Sequence, residues 1–99
     1  MLHIEKTIEN GKAFLAPQGR LDTVTAPEME GVIKQILPGI TSLTLDLAGL
    51  EYISSAGLRV LLAAQKAMQA QGEMKLCHVN ETIMEIFEIT GFSDILTIE

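Results

Sequence analysis

The chain of 99 residues is 47% hydrophobic, and a chain of this length can bury only one core, which predicts a single domain over residues 1–99. Thirteen acidic and seven basic residues give a net charge of −6, which opposes binding to nucleic acid or to anionic lipid. One cysteine excludes an internal disulfide, and no apolar run approaches the roughly 20 residues of a membrane span. The charged N-terminus does not resemble a signal peptide. We therefore expect a cytoplasmic protein with a protein partner and no membrane insertion.

The first 22 residues predict a β-hairpin followed by a turn. Apolar and polar residues alternate over residues 2–8, as in a strand with one buried face. Asn10-Gly11 then indicates a hairpin turn, because both residues tolerate a positive φ, and a second strand is predicted over residues 12–17. The Gly-Arg-Leu-Asp sequence of residues 19–22 has the composition of a turn.

A helix and a buried strand are predicted next. Thr25 is the expected N-cap of the helix, with proline tolerated in the first turn, and Pro38-Gly39 ends it. Residues 42–47 alternate leucine with polar residues, which predicts a strand with one buried face.

The remaining chain begins with an exposed loop that includes residues 50–53. An amphipathic helix is predicted from about Ala56 to Gln71, with Gly72 as the residue that ends it. A buried strand follows over residues 74–79.

The C-terminal part predicts a third helix and a short tail. Asn80 is the expected N-cap of the helix, and Gly91 is the expected C′ residue that follows its last turn. The tail over residues 92–99 should pack on the domain through Ile95, Leu96 and Ile98, as a short strand or as a last helical turn.

The predicted order is β-β-α-β-α-β-α with a tail. Strands separated by helices indicate an α/β fold with parallel pairing at each crossover, and the first hairpin adds an antiparallel pair. We therefore predict a mixed open sheet of four to five strands with helices packed against it.

Few residues have a pattern that indicates catalysis. His3 and His78 are far apart in the sequence and no cysteine or carboxylate motif accompanies them, so no metal site is predicted. The glycines form neither a phosphate loop nor a dinucleotide fingerprint, and the serines in ISSAG lack the glycine spacing of a hydrolase elbow. We expect no catalytic residue and no cofactor. A small enzyme is kept as an alternative, behind the two binding functions given below.

Ser54 and Ser55 lie where the exposed loop meets the central helix, and two interpretations are open. One serine could cap the helix by accepting a hydrogen bond from a free backbone N–H. Alternatively, one could be phosphorylated, because a helix N-terminus tolerates added negative charge.

The stretch DLAGLEYISSAGLRVLLAAQKAMQAQG resembles the signature of the STAS-domain family of bacterial anti-sigma-factor antagonists. In that family Asp-Leu and, a few residues later, Asp-Ser-Ser/Thr-Gly-Leu precede an aliphatic helix. Further similarities are Gly19-Arg20-Leu21-Asp22 with Ala26-Pro27, where the family has Gly-Glu-Leu-Asp and Ala-Pro, and Ile89-Thr90-Gly91-Phe92 near the end. The resemblance thus covers nearly the whole chain.

The resemblance implies that the protein binds an anti-sigma factor that is also a serine protein kinase, and that a serine phosphatase is a further partner. Counting back from Gly57, the phosphoacceptor of the family falls on Ser55. Ser54 replaces the aspartate that usually precedes the acceptor, which makes Ser54 a second candidate acceptor. Asp22 matches an acid that the family places beside the acceptor at the partner-binding surface.

The predicted partner-binding residues are Asp22, Thr23, Glu51, Tyr52, Ser54, Ser55, Gly57 and Arg59, with Leu50 and Ile53 in the same loop. Arg59 is one helical turn beyond Ser55 and could reach a phosphate on it, or it could be an ordinary solvated arginine. The alternative function is a STAS adaptor in a lipid-transport or stress-signalling assembly, where the serine site contacts a partner without being phosphorylated.

Overall fold

The computed structural model describes residues 2–99, which form a five-stranded sheet and three α-helices around one core. In chain order the elements are β1 (Leu2–Glu9), β2 (Lys12–Leu21), α1 (Ala26–Ile36), β3 (Ser42–Asp46), β4 (Leu50–Ile53), α2 (Ser55–Gln69), β5 (Glu73–Cys77) and α3 (Glu81–Thr90), with a 3-10 turn at Phe92–Asp94. This mixed sheet with packed helices confirms the predicted fold class.

The sheet combines one antiparallel pair with three parallel pairs. β1 runs antiparallel to β2, whereas β2 is parallel to β3 and to β4, and β3 is parallel to β5. The hairpin turn between β1 and β2 is the predicted one, with φ values of 51° at Asn10 and 78° at Gly11. Both residues are in the left-handed region that Asn and Gly adopt most readily.

β2 is longer than predicted, because it continues past Pro17. Its first half pairs with β3 as far as Leu15, and its second half pairs with β4 from Gly19 onwards. The Gly19 N–H donates to the Gly49 carbonyl at 2.9 Å, so the nitrogen of Pro17, two residues earlier, faces the same side of β2. The N–H that proline lacks would therefore lie in the gap between β3 and β4. The turn predicted over residues 19–22 is wrong for its first three residues.

β4 corrects the prediction of an exposed loop. Leu50 and Ile53 are buried, whereas Glu51 and Tyr52 are exposed. The pairing with β2 shifts register here, because β2 advances by one residue while β4 advances from Leu50 to Tyr52, which leaves Glu51 as an extra residue. The bulge turns Leu50 and Ile53 to the same face although they are three residues apart. The segment consequently lacks the alternation by which a strand is recognised.

One face of the sheet carries the core and the helices. Its apolar residues join those of α1, α2 and α3 in a single cluster, in which the largest fully buried side chains are Phe87, Leu15, Leu21, Met29, Leu43, Leu45, Leu47, Leu50, Ile53, Leu61, Met68 and Leu76. The opposite, open face carries more polar residues, such as Thr44 and Lys75, which are only partly buried. Within residues 2–99, no helix combines the length and the apolar character needed to cross a membrane.

The predicted ends of the later helices are partly confirmed. Asn80 caps α3, since its Oδ1 accepts from the Ile83 N–H at 2.9 Å, and Gly91 ends that helix with φ of 81°. Gly72 does not end α2 as predicted. Its φ is outside the left-handed region, and a Cβ there would lie 1.8 Å from the Thr41 carbonyl oxygen, so it permits close approach of two chain segments.

The tail contains both of the predicted alternatives. A 3-10 turn precedes an isolated parallel bridge between Leu76 and Ile98. Leu96 is buried and Ile98 is partly buried, as expected, but Ile95 is 46% exposed and was wrongly predicted to pack on the domain.

Candidate functional site

Two segments predicted to be functional meet at the carboxyl ends of β2 and β4. Leu21 pairs with Ile53 in parallel register, and the Ser54 N–H donates to the Leu21 carbonyl at 2.9 Å. The turn that begins at Asp22 therefore lies beside the start of α2, although 32 residues separate them in the chain. The carboxyl edge of a parallel sheet is where α/β proteins commonly place binding residues.

Ser54 and Ser55 differ in how their hydroxyl groups are used. Ser54 is the N-cap of α2, with φ −96° and ψ 176°, and its side-chain oxygen accepts from the Gly57 N–H at 3.4 Å. Ser55 is the first residue of the helix and is exposed, and none of the side-chain hydrogen bonds within residues 2–99 involves it. The capping and the phosphoacceptor interpretations thus fit two different serines.

The N-terminus of α2 is suited to a negatively charged group. Its first turn contains no acidic residue, and free backbone N–H groups and the helix dipole both favour an anion there. Arg59, one turn further on, is exposed and lines a groove of about 310 Å³ between α1 and α2, opposite Thr23 and Glu30. Arg59 is the basic residue nearest in sequence to Ser55.

Asp22 organises the turn between β2 and α1. Its Oδ1 accepts from the Val24 N–H at 3.0 Å and from the Thr25 N–H at 3.1 Å. These bonds, the one from Thr25 first, and the nearby Arg20 charge hold the pKa of Asp22 below its ordinary value, against an opposing effect of desolvation. Asp22 therefore fixes the conformation of the turn that forms part of the predicted surface, in addition to lying at that surface.

Thr25 occupies the N-cap position of α1 but makes no side-chain capping bond, contrary to the prediction. Its hydroxyl donates to the Arg20 carbonyl at 2.7 Å and accepts from the Asp22 N–H at 2.9 Å. The side chain is thereby buried across the turn and cannot reach the helix N–H groups.

Val24 was not predicted to belong to the surface. It is 82% exposed at the tip of the turn that Asp22 holds, next to the exposed Thr23. A protein partner that covers this apolar side chain would remove it from water, which favours association. The available indication was an isolated valine between polar turn residues, Asp-Thr-Val-Thr.

Arg20 was also missed as part of the surface. Its guanidinium carbon lies 4.4 Å from the centre of the Tyr52 ring, and its Nε is 3.8 Å from Asp22 Oδ2. The cation–π contact arises because Arg20 and Tyr52 are register partners in β2 and β4, so both side chains leave the same face. Tyr52 is consequently a surface residue held by Arg20.

Gly57, predicted as a contact residue, is buried instead. A Cβ at this position would lie 2.8 Å from Ile53 Cγ1 and 2.9 Å from both the Cγ and the carbonyl oxygen of Leu21. Glycine therefore allows the first turn of α2 to approach β2 and β4. The surface that remains consists of Asp22, Thr23, Val24, Glu51, Tyr52, Ser54, Ser55 and Arg59, with Arg20 beside it.

The two histidines, for which no metal site was predicted, have different surroundings. His3 is exposed, with Nε2 4.0 Å from Glu5 Oε1. His78 lies with Asp46 and Cys77, and one potential metal-ligand atom from each of the three is within 4.8 Å of the others. This cluster could not be detected from spacing, because Asp46 belongs to a different strand.

Fold and site together define a small domain in which a serine at a helix N-terminus lies at the carboxyl edge of a mixed sheet. The STAS domain model matches residues 3–99, and the chain belongs to the STAS domain family.

Proteins similar to this chain over most of its length include anti-sigma factor antagonists. BtrV of Bordetella bronchiseptica, named provisionally as such an antagonist, is 40% identical over 91 residues, covering 90% of this chain and 78% of BtrV. The anti-sigma-B factor antagonist of Listeria monocytogenes is 37% identical over 98 residues, covering 96% of this chain and 83% of the relative. A crystal structure of an anti-sigma factor antagonist from Mycobacterium paratuberculosis has the same fold, with a TM-score of 0.90 and 20% identity over 99% of this chain and 85% of that one.

Proposed function

We propose that this protein is an anti-sigma factor antagonist that acts in the cytoplasm. Unmodified, it binds an anti-sigma factor that is also a serine kinase, and so releases the sigma factor. Phosphorylation of Ser55 by that kinase ends the binding, and a serine phosphatase restores it. The names of the relatives support the antagonist class.

The observation that carries the proposal is the free, exposed hydroxyl of Ser55 beside the turn of Asp22. A kinase needs access to the hydroxyl, and Ser55 offers it without loss of any side-chain hydrogen bond found among residues 2–99. Ser54 is the second candidate, but its side chain is half-buried and already caps α2. We therefore assign the phosphorylation to Ser55.

The same position explains how a phosphate would act as a switch. Phosphorylation adds a charge of about −1.5 to −2, which the N-terminus of α2 tolerates, so the domain stays folded. A partner that covers Ser55 would have to desolvate this charge or pair it. If the partner has no basic pocket, the free energy of binding becomes less favourable by several kcal/mol, which is enough to dissociate the complex.

The test is intact-mass spectrometry with site mapping after incubation with ATP and each anti-sigma-type kinase of the source genome. Wild type, Ser54→Ala and Ser55→Ala are compared, and binding of each form to the same kinase is measured by calorimetry. We expect one phosphate, absent only from Ser55→Ala, and loss of binding after its addition.

Two results would contradict the proposal. A phosphate that persists in Ser55→Ala and disappears in Ser54→Ala would move the acceptor to the capping serine. No phosphate with any kinase, together with binding of a different protein at the same surface, would favour an adaptor that works without phosphorylation.

A further inference from the structure

A second group of reactive side chains lies on the open face of the sheet, where β3 and β5 end. Asp46 and Cys77 are partners in the parallel register, so their side chains leave the same face of the sheet side by side. His78 follows directly, and its backbone has a φ of 56°, which is uncommon for a residue other than glycine. His78 Nδ1 lies 3.1 Å from Asp46 Oδ1.

The three donor atoms lie close enough together to be brought onto one metal ion. In a tetrahedral zinc site, ligand atoms about 2.0–2.3 Å from the metal are roughly 3.3–3.6 Å from each other. The 3.1 Å between Asp46 and His78 is near this range, and all three donors lie within 4.8 Å of one another. Donor atoms that lie further apart than this range, at most 4.8 Å, would have to move closer together when the metal binds.

The carboxylate is held in place before any ion arrives. Asp46 Oδ1 accepts from the Ala48 N–H at 3.0 Å, and the Asp46 side chain is only 22% exposed. His78 is 68% exposed, so a fourth coordination position would face water. A carboxylate, a thiolate and an imidazole form a donor set that suits zinc and related borderline cations better than magnesium or calcium.

We propose that Asp46, Cys77 and His78 bind one divalent cation of the zinc class, with water as the fourth ligand. On binding, the Cys77 sulfur releases its proton to solvent. His78 binds through an unprotonated Nδ1 with its remaining proton on Nε2, so any proton on Nδ1 is also released to solvent, and the 3.1 Å contact between Nδ1 and Asp46 Oδ1 is replaced by two bonds to the metal. Asp46 and Cys77 end β3 and β5, whereas Ser55 begins α2. The proposal therefore does not depend on phosphorylation of Ser55.

The test is a titration of the tag-free protein with Co²⁺, which reports thiolate ligation through a charge-transfer band in the near ultraviolet. We expect one Co²⁺ per chain and displacement of the band by Zn²⁺. Cys77→Ser should abolish the band, and His78→Ala should weaken Co²⁺ binding at least about tenfold. The matched control is His3→Ala, which removes an exposed histidine beside a carboxylate but no thiol, and should leave the titration unchanged.

Absence of a band, a band that persists in Cys77→Ser, or one ion shared by two chains would overturn the proposal. Thermal unfolding of each metal-free variant shows whether it is folded. If Cys77→Ser is not folded, His78→Ala is used instead, because the His78 side chain is more exposed. Unchanged Co²⁺ binding by that variant would overturn the proposal.

Discussion

Ser54 stands where the STAS signature usually has aspartate, and its role as N-cap shows what that exchange preserves. Serine and aspartate are both favoured N-caps, because each offers a side-chain oxygen to a free N–H of the first turn. The oxygen of Ser54 does this for Gly57. The start of α2 is therefore kept, while one negative charge beside Ser55 is removed.

Replacing Ser54 should reveal this capping role. Ser54→Ala removes the acceptor for the Gly57 N–H, and we expect the free energy of unfolding to fall by about 1 kcal/mol. Ser54→Asp should restore it. Ser55→Ala is the matched control and should change stability little, as measured by urea unfolding. Equal losses in both alanine variants would contradict the assignment of the cap.

Asp22 predicts a pH dependence with a defined sign. Its pKa is lowered in the folded state, so its carboxylate contributes stability above its ordinary pKa of 3.8, and this contribution is lost as pH falls through the lowered pKa. Asp22→Asn keeps an oxygen acceptor but has no charge. Its melting temperature should be below that of wild type at neutral pH, and the difference should disappear in acid. A difference that is independent of pH would contradict the charge argument.

Arg59 should matter only after modification of Ser55. Helical side chains lean towards the N-terminus, so its guanidinium could pair with a phosphate on Ser55. We expect Arg59→Ala to lower the melting temperature of the phosphorylated protein while barely changing the unmodified form. Comparable shifts in both forms would show that Arg59 is a solvated arginine with no role in the modified state.

At the scale of elements, the position of Ser55 depends on how closely α2 approaches β2. Gly57 lies in the first turn of α2, against the side chain and carbonyl of Leu21. The contact joins the helix that carries Ser55 to the strand that leads into Asp22. The distance between the two halves of the surface is thus set by a buried glycine.

Gly57→Ala should therefore displace α2. The new Cβ would lie within 2.9 Å of a backbone oxygen that cannot rotate away, and we expect a loss of about 1–3 kcal/mol in urea unfolding. Gly31→Ala is the control, because Gly31 is exposed in α1 and a Cβ there meets no atom of residues 2–99 within 4 Å. That substitution should stabilise by up to about 1 kcal/mol. Similar effects of both would contradict the packing argument.

Elements whose determinants are local in sequence were predictable, and those that depend on a partner strand were not. Asn10-Gly11 and Asn80 act through their own φ angles and nearby N–H groups, so the hairpin and the start of α3 could be predicted. The strand at residues 50–53 depends on a bulge opposite β2, and the passage of β2 through Pro17 depends on a gap between two other strands. Neither feature is contained in the segment itself.

At the scale of the whole molecule, the surface residues also divide into those that local sequence predicts and those that depend on a partner strand. Ser55 and Asp22 were found from motifs, whereas the contact of Arg20 with Tyr52 and the grouping of Asp46 with Cys77 follow only from strand register. Arg20 also places a positive group beside the candidate interface of a chain whose net charge is −6. An acidic or mixed partner surface would be accommodated there more readily than the net charge suggests.

The exposed apolar residues allow the interface to be located independently of phosphorylation. Val24 is 82% exposed, so Val24→Asp should leave the melting temperature unchanged and weaken binding of the anti-sigma factor at least about tenfold. Ile89→Asp is the control, because Ile89 is 85% exposed but belongs to α3, outside the proposed surface. Calorimetric affinities that respond to Ile89 and not to Val24 would place the interface elsewhere.

β3 and β4 pair with successive halves of β2, and this arrangement restricts the length of the chain that connects them. Only residues 47–49 connect the two strands, and both are in register with the same ten-residue strand. One inserted residue would have to be looped out, or β4 would slide along β2 and exchange the faces of Leu50 and Tyr52. Ser55 would then be displaced from Asp22. A variant could retain every residue of the surface and still lose it through a single insertion here, whereas an insertion at the turn after α1 would leave the spacing intact.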